Sequence, residues 1–170
     1  MPDVIVAASQ IHGLGVFTTR EFAEGESVLT IDDSRVVDIE HPLRPELDEH
    51  EYHCDYLADG KVVLMRFPER HINSNCDPNS YVVTIDTVRH VIARRHIQAG
   101  DEITYDYIIN CYEGAVWQCH CGGPRCRGTI VSSFFELPSN LQLEYLPLLD
   151  EWFVKEHYEK VAALRKSVAG

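Results

Sequence analysis

Apolar and polar positions along this 170-residue chain change their period near residue 139. Upstream, short β-prone runs such as Val4–Ala7, Val16–Thr18, Ser27–Ile31 and Ile103–Tyr105 alternate with turns built on Gly, Asp and Pro. That rhythm predicts short strands. Tyr52–Leu57 and Lys61–Phe67 flank Ala58-Asp59-Gly60, and Asp-Gly supplies the positive φ angles of a type I′ turn, so a hairpin is expected there. A second hairpin is expected from Ser80–Asp86 and Val88–Arg94. Between them and the first strands, the acidic stretch Asp32–Glu51, with Pro42 and Pro45, reads as a loop with a short helix. Downstream, Leu146, Leu149, Phe153, His157, Val161, Leu164 and Val168 recur at intervals of three and four, which predicts a C-terminal helix with Pro147 in its first turn. Its apolar face either packs on the β core or offers a homodimer seam. The fold class is therefore mainly β, a set of short sheets with a C-terminal helix.

One segment breaks the pattern. Arg70–Asn79 reads Arg-His-Ile-Asn-Ser-Asn-Cys-Asp-Pro-Asn, with little strand or helix character, yet it lies between the apolar runs Lys61–Phe67 and Tyr81–Ile85. A polar, irregular segment held against a core must satisfy its backbone groups, and a ligand is one candidate alongside internal hydrogen bonds.

A net charge of −12 argues against nucleic-acid or anionic-membrane affinity and suits a basic partner. No apolar run approaches the ~20 residues of a membrane span, and Met1-Pro2-Asp3 lacks the basic start of a signal peptide, so an intracellular protein, cytoplasmic or nuclear, is expected. Six cysteines then read as reduced thiols rather than a secreted disulfide framework. Cys119-His120-Cys121 and Cys126 bring three soft ligands onto a loop bent by Gly and Pro, whereas structural zinc takes four. His120 and Cys111 are candidates for the missing ligand, while Cys54 and Cys111 read more naturally as small buried hydrophobes.

Tyr105 and Tyr107 stand at i and i+2, so on an extended strand both point to one face and Asp106 to the other.

Four motifs together resemble one family. Asn73–Asn79 is similar to the Asn-His-Ser-Cys-x-Pro-Asn signature of SET-domain protein-lysine methyltransferases, and Gly100–Tyr107, Gly-Asp-Glu-Ile-Thr-Tyr-Asp-Tyr, resembles the end of their domain. Cys119, Cys121 and Cys126 before Arg127-Gly128 resemble their post-SET tail, and Gly13-Leu14-Gly15 their early glycine loop. The resemblance implies a SET fold with a threaded pseudoknot over 1–110, a zinc-bound post-SET loop over 111–130 and a helical extension over 131–170. It implies S-adenosylmethionine as cofactor, approached by Gly13, Leu14, Gly15 and Val16 at its methionine end and by Asn73, Ser74 and Tyr107. It supplies Cys76 as the fourth zinc ligand. Tyr107 takes the catalytic role, and Tyr105 occupies the Phe/Tyr switch position, where tyrosine implies mainly monomethylation.

Two departures stand out. The family's Tyr-x-Gly-Glu element is replaced by Leu29-Thr30-Ile31-Asp32-Asp33, leaving Tyr52 or Tyr56 to line that side, and Ser74 stands where the family has His. Phe134 and Phe135 are candidates to cover the adenine or the channel, or are core residues. The implied reaction needs a neutral lysine amine, whose reference pKa is ~10.4, so an apolar channel and a positive cofactor both help. Alignment carries the catalysis, and tyrosines can wall such a channel without adding charge. The expected substrate is a lysine of a basic protein, histone or histone-like. The alternative is a non-catalytic, zinc-stabilised binding module.

Overall fold

A computed structural model of the protein describes residues 2–168, with side chains through residue 166. The strands come first, beginning with β1 (Val4–Ala8), β2 (Leu14–Thr18), β3 (Ser27–Ile31), β4 (Val36–Val37), β5 (Cys54–Tyr56) and β6 (Val62–Leu64). They continue through the central segment and beyond it as β7 (Asn73–Ser74), β8 (Ser80–Ile85), β9 (Val88–Ala93), β10 (Glu102–Tyr105), β11 (Tyr112–Gln118) and β12 (Thr129–Ser133). These form four small sheets, ordered β1-β2-β10-β7, β3-β9-β8, β4-β6-β5 and β11-β12.

Both expected hairpins form. β5 and β6 pair antiparallel, with Asp59 and Gly60 between them at φ 60° and 70°, as a type I′ turn requires. β8 and β9 are joined by Asp86 and Thr87, at φ 48° and 70°, with Ile85 opposite Val88. The pairing that matters most for the site is local to neither. β7, inside the polar Arg70–Asn79 segment, runs parallel to β10, with Asn73 opposite Thr104 and Ser74 opposite Tyr105. The segment's backbone groups are thus met by the chain itself, and Asn75 N–H continues the ladder onto the Tyr105 carbonyl at 3.2 Å.

Two apolar clusters support this join. One gathers Val16, Phe22, Ile72, Val91 and Ile103 among the sheets. The other gathers Cys76, Ile108, Phe134, Tyr145, Phe153 and Val161, so the C-terminal residues pack directly under the cysteine-bearing segment.

The C-terminal helix is present, preceded by two shorter ones: α1 (Ser139–Tyr145), α2 (Glu151–Glu156) and α3 (Tyr158–Val168). The apolar period starting at Leu146 therefore does not form a single helix. Leu146–Leu148 is a 3-10 turn with Pro147 at its start, where the missing N–H costs nothing. Asp150 then begins a new helix, its carboxylate accepting the Trp152 N–H. His157, at φ −111° and ψ 32°, separates α2 from α3. Leu149, Phe153 and Val161 turn inward on the protein's own core, so the face expected either to pack or to dimerise is packed at these positions. Val168 ends α3, but its side chain lies outside the described ones.

β11 has no counterpart in the hydrophobic pattern. Its residues are nearly all exposed, and it is held by pairing with β12 from Val116 to Gln118, with a register shift toward Tyr112. The hairpin carries the cysteine loop at its tip, closed by Cys119 N–H donating to the Gly128 carbonyl at 2.7 Å.

Candidate active site and metal centre

Tyr105 is the last residue of β10, and the strand stops there. Tyr107 lies in the following turn rather than on an extended strand, which corrects the i, i+2 geometry expected for the pair. The rings converge nonetheless, with centroids 5.1 Å apart and planes tilted by 50°. Asp106 points the other way into the interior, 1% exposed. The two hydroxyls differ. Tyr107 Oη donates to the Ile72 carbonyl at 2.6 Å, which fixes its proton and leaves the oxygen's lone pairs free. Among the described residues Tyr105 Oη has only the weak Met65 sulfur at 4.0 Å, so it keeps its capacity for a stronger partner. Burial raises both phenols above their usual pKa, with Tyr107 adding to the effect on Tyr105 and Asp55 to that on Tyr107, so both stay neutral at physiological pH.

The pair lines a cavity of about 350 Å³, whose walls include Tyr52, Tyr56, Met65, Trp117 and Trp152. Tyr52 and Tyr56 thus both reach the cavity, whereas Leu29–Asp33, the stretch in place of the Tyr-x-Gly-Glu element, does not line it. Phe134 is fully buried in the core and does not line the cavity. Phe135 stacks at 5.8 Å behind Phe153, a cavity-lining residue, without lining the cavity itself, so neither phenylalanine forms its wall.

The glycine loop and the central segment are tied by one side chain. The two N–H groups of Asn73 Nδ2 are shared among three acceptors, Glu102 Oε1 at 2.8 Å, the Leu14 carbonyl at 2.9 Å and the His12 carbonyl at 3.2 Å. Its Oδ1 has no partner among the described residues. Gly13 adopts φ +47° over open space, whereas a Cβ on Gly15 would stand 2.3 Å from Glu102 Oε1. Leu14 is 47% exposed beside them, and Val16 is fully buried within the sheet. Ser74 Oγ accepts from the Tyr107 N–H at 3.3 Å, linking the serine that replaces the expected histidine to the tyrosine turn. The two segments expected to embrace the cofactor therefore meet, with a glycine at positive φ and an amide oxygen unpaired among the described residues at the junction, an acceptor suited to a ligand amino group, although neither segment lines the tyrosine cavity.

Glu102 was not singled out by its sequence. It also accepts Ser9 Oγ at 2.8 and 2.9 Å, and only the fold brings Ser9, Gly15 and Asn73 around it. Asn79 is a second such residue, giving Nδ2–H to the Glu102 carbonyl and accepting the Thr104 N–H, at 2.8 and 2.9 Å.

The sulfurs of Cys76, Cys119, Cys121 and Cys126 lie within 4.8 Å of one another. Tetrahedral zinc with Zn–S of about 2.3 Å separates its sulfurs by about 3.8 Å, so this donor set fits the metal. The Cys76–Cys119 sulfur separation is 3.6 Å, and none of the four forms a disulfide. His120 is exposed and outside the group. Cys111 is turned to the Ser132 carbonyl, its thiol pushed up to about 12 by burial. Cys54 and Cys111 are half-buried rather than fully buried as expected, since both line the cavity.

Arg127, directly after Cys126, joins the metal loop to the tyrosines. Its Nη2 donates to Asp106 Oδ1 at 2.8 Å, and its backbone N–H approaches Cys76 Sγ at 3.5 Å.

A paired-tyrosine cavity at the end of a parallel β7–β10 join, beside a four-cysteine cluster, defines the SET architecture. Residues 13–108 match the SET domain family model, and the chain belongs to that family. Among its relatives, the histone-lysine N-methyltransferase trithorax of Drosophila virilis is 32% identical over 139 residues, covering 72% of this chain and 3% of that protein. An H3 lysine-36 specific histone-lysine N-methyltransferase of Emericella nidulans is 40% identical over 73 residues, 43% of this chain and 7% of its own length. Human histone-lysine N-methyltransferase SETD1B is 27% identical over 133 residues, 72% of this chain and 7% of that protein. The chain thus spans 3% to 7% of the length of these curated relatives.

Proposed function

We propose that this chain is an S-adenosylmethionine-dependent protein-lysine N-methyltransferase that adds mainly one methyl group to a lysine of a basic, histone-like protein. The observation that carries this reading is the tyrosine pair, with the Tyr107 proton committed to the Ile72 carbonyl and the Tyr105 hydroxyl free at the cavity wall. The relatives' names as histone-lysine methyltransferases support it.

S-adenosylmethionine, when bound, supplies an electrophilic methyl group and a positive sulfonium. Asn73, with its Oδ1 free, and the Gly13–Gly15 backbone hold the methionine end, and Ser74 sits beside them. The cavity's aromatic walls exclude water from the lysine stem and favour the neutral amine. Tyr107 offers lone pairs without a charge, orienting the amine and the transferring methyl group for in-line attack. Tyr105 can hold a water or the amine itself, which leaves too little room for a methylated amine to turn and react again. Cys76, Cys119, Cys121 and Cys126 hold a structural zinc, whose binding energy becomes folding energy of the loop that carries Arg127.

A net charge of −12 suits a basic partner and disfavours nucleic acid and anionic membranes. Among the described residues no helix is long and apolar enough to cross a membrane. An intracellular setting, cytoplasmic or nuclear, follows from reduced thiols and histone-like substrates. The test is incubation with labelled S-adenosylmethionine and a panel of histones and other basic proteins, followed by mass-spectrometric mapping. Label on a defined lysine is expected, with the monomethyl form dominant. Cofactor binding without transfer to any protein would favour the non-catalytic binding module.

A further inference from the structure

Part of the cavity wall lies outside the 13–108 match. It includes Glu113 on β11 and Trp152, Glu156 and His157 from the C-terminal helices. This wall is built in rather than loosely apposed. Asp150, 2% exposed, accepts both the N–H and the hydroxyl of Thr84 at 2.7 Å. Its own N–H donates at 2.7 Å to Asn110 Oδ1, in the turn that holds Tyr107. The first residues of α2 are thereby pinned to β8 on one side and to the tyrosine turn on the other.

The buried carboxylate of Asp150, also in the cavity wall, is met by Thr84 and Trp152, and the other acids there divide into two kinds. Asp55 is paired with Arg89, and Asp106 with Arg127. Glu113 and Glu156 have no cationic partner among the described residues, and both line the cavity with exposed side chains. Partial desolvation at the cavity and the neighbouring Asp55 push the Glu113 carboxyl above the usual range, although the side chain as a whole is exposed. A guanidinium suits a cavity whose wall carries two unpaired carboxylates and an indole, since it can bond a carboxylate in a fork and stack on an aromatic face.

We infer that Glu113 and Glu156 form an acidic lip that selects an extended peptide carrying an arginine or lysine next to the target lysine. This rests on the cavity being the lysine channel, and it assigns substrate discrimination to the C-terminal segment rather than to the matched domain.

The test measures binding separately from turnover. Lysine-centred peptides with an arginine on either side of the lysine are compared with the same peptides carrying citrulline, which has the same shape without the charge. By calorimetry the protein should bind one arginine peptide about tenfold tighter than its citrulline counterpart. In Glu113→Gln/Glu156→Gln that ratio should fall towards one, with thermal melting verifying the fold, and Glu156→Lys alone should lower or invert it. A ratio near one in the unmodified protein, or an unchanged ratio in a folded variant, overturns the inference. Arginine-selective binding without methyl transfer to any lysine supports the lip and counts instead against the methyltransferase reading.

Discussion

Removing Arg127 and Asp106 together should damage the protein less than the two single removals added. Asp106 is 1% exposed, and its carboxylate meets the Arg127 guanidinium at 2.8 Å and the Ile108 N–H at 3.2 Å. Arg127→Met keeps most of the side-chain volume and leaves a buried carboxylate without its cation, a loss of roughly 3–5 kcal/mol. For a chain of this size that is roughly 6–20 °C in melting temperature. Asp106→Asn strands the cation instead and should cost a similar amount. Yet Asp106 Oδ2 and Arg127 Nε and Nη1 are buried with no partner among the described residues, so the pair's desolvation is incompletely compensated. Asp106→Asn/Arg127→Met should therefore lose less than the two single changes added together, with a coupling of at least about 2 kcal/mol. Urea unfolding of the four forms at saturating zinc measures this. Additive effects, or single changes below about 1 kcal/mol, would refute the claim that this ion pair joins the cysteine loop to the tyrosine turn. Bound zinc should stay near one per chain in the variants, which separates loss of the pair from loss of the metal.

Three further outcomes follow from the same geometry. Gly15→Ala places a Cβ 2.3 Å from Glu102 Oε1, so the carboxylate must leave Asn73 and Ser9; stability should fall by roughly 1–3 kcal/mol, and calorimetry should show weaker S-adenosylmethionine binding. Cys76→Ser should lower bound zinc and cofactor affinity together, and metal analysis finding a full zinc in that variant would remove Cys76 from the ligand set. Tyr105→Phe should keep the first transfer and raise di- and trimethyl-lysine about tenfold, the effect of ~1.4 kcal/mol, whereas an unchanged product ratio in intact-mass time courses would return Tyr105 to a plain wall residue.

The sequence made the two hairpins readable because Asp59-Gly60 and the alternation around Asp86-Thr87 are local signals, and a turn's φ angles are set by its own residues. The cysteine spacing was readable for a similar reason, since three ligands within one loop need no tertiary fold to bring them together. The fourth position was not local: Cys76 reaches Cys119 only through a separation of 43 residues. Glu102 was invisible for the same reason, because Ser9 lies 93 residues from it and Asn73 lies 29 away. β11 escaped because Glu113-Gly114-Ala115 breaks the apolar alternation, and its stability comes from the β12 partner rather than from a buried face. The C-terminal periodicity located the buried residues correctly, but a period of three to four survives the 3-10 turn at Pro147 and the break at His157, so it could not count helices.

The central claim is that methyl transfer depends on the Tyr107 hydroxyl, and a single-turnover comparison of the unmodified protein with Tyr107→Phe tests it most directly. The change leaves the Ile72 carbonyl without its donor, a stability loss of about 1 kcal/mol that the fold should tolerate. With a labelled cofactor and a basic protein that the unmodified chain methylates, the account predicts a rate lower by roughly two orders of magnitude at nearly unchanged cofactor affinity. A rate within about threefold of the unmodified protein, in a folded and cofactor-saturated variant, would contradict it.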